Sequence, residues 1–87
     1  MSDEADKPDI AFVEVWRAEN ASAADLLKTQ LESAGIAALI VDESVAAIAG
    51  LDPTLFKSPR ILVASRNTGK AIGVIRDFEA IRAGRST

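Results

Sequence analysis

The chain has 87 residues, close to half of them hydrophobic, with a net charge of −3 and neither cysteine nor histidine. A length of this order makes one domain around a single modest core, and the composition excludes disulfides, thiolate metal sites and the commonest general base. No G-x-S-x-G, S-x-x-K or phosphate-loop spacing occurs, so neither catalysis nor a bound cofactor or metal is expected.

Residues 1–9 carry Asp3, Glu4, Asp6 and Asp9 against Lys7, and are expected to form a disordered acidic tail rather than a secretory segment. Phe12 to Trp16 is β-branched and aromatic, which predicts a strand. Simple alternation puts Ala11, Val13 and Val15 on one face and Phe12, Glu14 and Trp16 on the other.

The run NASAADLLKTQLESAG predicts a helix capped by Ser22, with Asp25 in its first turn and Gly35 as a left-handed stop. Ala23, Ala24, Leu26, Leu27, Gln30, Leu31 and Ala34 fall in one arc, with Gln30 as a polar exception at the edge of the core. Ile36 to Val41 is a continuous apolar run, the pattern of a strand covered on both faces. It is far shorter than the ~20 residues that span a bilayer, and the expected location is cytoplasmic.

Residues 43–59, ESVAAIAGLDPTLFKSP, form a long connection without a clean period. Connections of this length tend to carry function or structure of their own. A helical turn is predicted over Ser44 to Ala49 and a 3₁₀ turn over Pro53 to Phe56, with Leu55 and Phe56 tucked inward. Two roles are open: a flap over a sheet face, or a binding loop with Asp42, Glu43, Lys57 and Arg60 at its mouths. Asp42 and Glu43 are adjacent and point to opposite sides, so no metal site is expected there.

Arg60 to Ala64 predicts a third strand, and Thr68 to Arg82 a second long helix capped by Asn67 or Thr68. Ala71, Val74, Ile75, Phe78 and Ile81 form its apolar arc. Gly69 and Gly73 make a G-x-x-x-G pair on the other side, a weak sign of close packing in a soluble helix. Residues 84–87 are expected to be a second disordered tail.

The third strand can return antiparallel between the first two with both helices on one face. This is α+β: a ferredoxin-like β-α-β-β-α plan over residues 10–83, with sheet order 1-3-2 and the last strand missing. Residues 10–56 carry a net −5 and residues 57–87 a net +5, consistent with acidic and basic elements laid side by side.

The runs VEVWRAEN, ADLLKTQLESAGIAALIVDE and RILVASRNTGKAIGVIRDFE resemble the small bacterial domains known as putative prokaryotic signal-transducing proteins. LESAGI followed by VDE is the most specific part, and the likeness extends over about residues 12–82. The resemblance implies a ferredoxin-like fold and a signalling role similar to that of the nitrogen-regulatory signalling proteins, without an assigned ligand. The connection departs from the family pattern, reading AAIAGLDPTLF where family loops are glycine-rich.

Two surfaces follow from the plan. One is the sheet face away from the helices, with Phe12 and Trp16 beside Leu62 and Arg60; the other is the bare edge of the first strand. Both point to a homodimer, or to a module completed by a protein partner, with a small-molecule effector as an addition and no membrane role. The expected function is a non-enzymatic regulatory or signal-transducing module. The alternative is a single-stranded nucleic-acid binder, stacking bases on Phe12 and Trp16 with Arg17, Lys57, Arg60 and Arg66 on the phosphates. Against it stand the acidic total, Glu14 between the two aromatics, and the absence of an RNA-recognition motif.

Overall fold

The computed structural model describes residues 11–84; the acidic tail expected over residues 1–9 and the last three residues lie outside the described region. Three strands, β1 (Phe12–Arg17), β2 (Ala38–Val41) and β3 (Arg60–Ala64), form one sheet in the order β1-β3-β2. The central strand β3 is antiparallel to both neighbours. The protein is α+β and follows the ferredoxin-like plan without its last strand among the described residues. No helix in the described region is long and apolar enough to cross a membrane.

Helix α1 (Ala21–Ser33) begins at Asn20, not at Ser22. Asn20 holds extended backbone, and its side-chain oxygen accepts from the Ala23 N–H at 2.8 Å. That places Ser22 already inside the first turn. The helix stops as expected at Gly35, whose φ of 83° a side chain would disfavour; Ile36 N–H then closes back on the Leu31 carbonyl at 2.9 Å.

The connection carries the two short elements its sequence predicts. A helix α2 (Glu43–Ile48) is capped by Asp42, which accepts from the Val45 N–H at 2.9 Å. A 3₁₀ turn over Pro53–Phe56 is capped by Asp52, which accepts from both the N–H and the hydroxyl of Thr54. The last helix, α3 (Thr68–Ala83), follows a 3₁₀ turn at Ser65–Asn67. Neither expected cap operates there: Asn67 makes no capping bond, and the Thr68 hydroxyl donates to the Ser65 carbonyl instead.

The core lies between the sheet and the two long helices. Leu27 and Leu31 of α1, Ile36, and Ile61 and Val63 of β3 are its large fully enclosed side chains. Each contributes about 1.5–3 kcal/mol by leaving water. Ala23, Ala24 and Ala71 are also buried; their small side chains let the helices lie close to the sheet. Among the described residues nothing packs closely on the Gly69–Gly73 side of α3, since a Cβ at either position would meet no atom within 4 Å.

The apolar arcs are wider than the sheet can cover. Leu26 (57% exposed) and Ile81 (76% exposed) both fall in arcs expected to be buried, and Gln30 is exposed as well. Leu39 departs in the same way, because β2 is covered on one face only.

Candidate functional site

The decisive feature of β1 is an irregularity in its register. Phe12, Val13 and Glu14 face Ala64, Val63 and Leu62, but Trp16 and Arg17 face Ile61 and Arg60, so Val15 is an extra residue. Such a bulge reverses the face of every residue beyond it. Trp16, placed by simple alternation beside Phe12, therefore lies on the helix side with Val13. Its ring meets Phe78 edge-on at 5.6 Å between centroids, and its indole N–H donates to a Glu79 carboxylate oxygen at 2.8 Å. The two aromatics are on opposite faces of the sheet.

The run E-V-W-R held the signal. Two charged residues three apart on a strand, with two apolar residues between them, can share a solvated face only if one residue is inserted. Glu14 and Arg17 do share that face, with Arg17 Nε 2.6 Å from a Glu14 oxygen.

The open face is then built from three rows. Phe12 sits beside Ala64; Glu14, Leu62 and Leu39 form the middle row; Arg17, Arg60 and Val41 form the last. Phe12 is 46% and Leu39 47% exposed. Arg60 closes one end of the face. Its guanidinium donates to the Leu55 carbonyl at 2.6 Å, lies 4.4 Å from the Phe56 ring centroid, and reaches Glu14 at 3.5 Å. The connection thus covers the Arg60 end alone, with Phe56 half-buried and Leu55, expected inward, turned out to solvent.

Of the five residues singled out from the sequence, the structure brings Arg17 and Arg60 into one cross-strand row and leaves Phe12 at the other end of the same face. Lys57 stands apart, lining a shallow cavity of ≈ 370 Å³ with Glu19, Asp42 and Glu43. Asp42 is occupied as a helix cap, and nowhere among the described residues do three potential metal ligands converge. Residues the sequence reading missed are Leu39, Glu14 and, on the helix side of β1, Phe78 and Glu79.

A second surface lies between the helices. Leu26 and Gln30 of α1 with Val74, Phe78 and Ile81 of α3 wall a groove of ≈ 510 Å³. Arg82 lies 5.4 Å from the Phe78 ring centroid and reaches Glu19 at 3.1 Å, tying the end of α3 to the loop before α1.

No curated protein and no solved structure matches the chain. A family model does, over residues 12–79, which takes in all three strands, α1, α2 and most of α3. By that match the chain belongs to the family described as "Putative prokaryotic signal transducing protein".

Proposed function

We propose that this protein is a non-enzymatic signal-transducing module that acts by assembly, its uncovered sheet face closing on a second copy. The observation that carries the reading is the pair Phe12 and Leu39, each about half exposed, standing beside Ala64 and Leu62 of β3 on a face that the connection covers only at the Arg60 end. Uncovered apolar surface of this kind on a small domain marks an interface. Glu14 and Arg17 stand at its margin with charges of both signs, the composition of a self-complementary rim.

The nucleic-acid alternative loses its stacking platform. Trp16 is held on the helix side by Phe78 and Glu79, and Phe12 alone, next to Glu14, offers one ring beside a negative charge. Single-stranded RNA is expected to leave Trp16 emission unchanged even at low salt.

Sedimentation velocity from low to high micromolar concentration tests the assembly. A dimer is expected, dissociated by the double change Phe12→Ser and Leu39→Ser with an unchanged circular dichroism spectrum. A parent chain that stays monomeric throughout overturns the reading.

A further inference from the structure

The connection that covers one end of the sheet brings new apolar surface with it. Val45, Ile48, Leu51 and Leu55 are four of the nine large hydrophobic side chains exposed among the described residues, with Ile48 at 87% and Leu55 at 62%. Gly50, at a φ of 82°, ends α2, and the Leu51 N–H closes back on the Ala46 carbonyl at 2.8 Å. The 3₁₀ turn thereby folds against α2. Ala46 is the buried residue of that helix, so its larger apolar side chains, Val45 and Ile48, stay outside.

The open sheet face is too small to hold a dimer alone. A stable interface buries about 800 Å² on each partner. A whole aromatic side chain supplies only about 150–250 Å², and Phe12 and Leu39 are half covered already. The connection adjoins that face at the Arg60 end, where the Leu55 carbonyl and the Phe56 ring hold the Arg60 guanidinium. Leu55 therefore continues the apolar surface past the end of the sheet.

The face is also stepped, raised by the connection at the Arg60 end and bare at the Phe12 end. Two copies can meet face to face about a two-fold axis in either of two directions. An axis along the strands sets connection against connection and holds the bare Phe12 ends apart. An axis across the strands sets the raised end of each copy over the bare end of the other, twice. The step complements itself in the second arrangement alone.

We propose that the connection is the second half of the homodimer interface. Across a two-fold axis perpendicular to the strands, Leu55 and Ile48 of each copy close over the Phe12 end of the other. This rests on the assembly reading above, to which it adds the direction of the axis and the residues that complete the buried area.

The test uses the full chain, which has no cysteine, so an introduced thiol reports on one position. Phe12→Cys and Leu55→Cys chains are mixed in equal amounts where the parent is dimeric, oxidised, and their products separated by mass spectrometry. The mixed disulfide is expected to exceed either homodisulfide at least tenfold. A predominant bridge between two Leu55→Cys chains, or a merely statistical mixture, overturns the proposal. In sedimentation, the double change Ile48→Ser and Leu55→Ser, with unchanged circular dichroism, is expected to raise the dimer Kd at least tenfold. If the Phe12→Ser, Leu39→Ser variant dissociates the dimer while this one leaves Kd unchanged, the role of the connection falls and the sheet-face assembly stands. A connection variant that alone dissociates it overturns the sheet-face reading instead, and a parent monomeric at every concentration removes both.

Discussion

Trp16 bridges two elements because one extra residue precedes it. The bulge at Val15 rotates the indole onto α3, where the ring packs on Phe78 and the N–H reaches Glu79. Replacing Trp16 by Phe keeps much of the ring contact and removes the donor, so urea denaturation followed by circular dichroism is expected to show a loss of about 0.5–1.5 kcal/mol. Trp16→Ala also removes the aromatic volume and is expected to cost more, about 3 kcal/mol. A tryptophan exposed on the open face would give a near-neutral result for both. Arg60 is a counterpart on the other side: residues read as ligand contacts at the mouths of the connection, Arg60 and Asp42, are engaged in holding it down.

At the scale of elements, ends and caps are where sequence and structure part. Asn20 and Ser22 are both good cap residues two positions apart, and propensity alone does not choose between them. Asn20 holds the extended backbone and the bond to Ala23. Asn20→Ala is therefore expected to cost about 1 kcal/mol of stability while Ser22→Ala stays near zero, measured side by side in urea. In the connection, the Thr54 hydroxyl and then the Thr54 N–H hold the exposed Asp52 carboxyl below its ordinary range. A depressed folded-state value gives stabilisation that is present above the unfolded-state range and lost as pH falls through the folded value. Asp52→Ala is thus expected to melt earlier than the parent at neutral pH, with the gap closing below about pH 4. A gap that persists in strong acid would assign the effect to something other than this carboxylate.

For the whole molecule, the core is small. Its large fully buried side chains are Leu27, Leu31, Ile36, Ile61 and Val63, with alanines filling much of the remainder. A domain of this size is marginal alone, and anything that binds the native state raises its apparent stability by mass action. If the open face closes on a second copy, the melting temperature of the parent is expected to rise with protein concentration, and that of the Phe12→Ser, Leu39→Ser variant to stay flat. Calorimetry over a hundredfold range of concentration checks this, and a parent midpoint that does not move counts against dimerisation.

Apolar periodicity and turn residues determined the element order, the central place of β3, the helical turn and 3₁₀ turn of the connection, and an outer edge of β1 that no strand among the described residues pairs with. Those features follow from local preference and from a topology with few alternatives. Tertiary structure decided that Leu26, Ile81 and Leu39 stay in water, and it fixed the side of Trp16, which the E-V-W-R spacing hints at without setting the register. A period reports that one face of an element is apolar, but a bulge exists only relative to the strand opposite. How far an arc is buried depends on how wide a surface its neighbours present. Here three strands cover less than the two long helices offer.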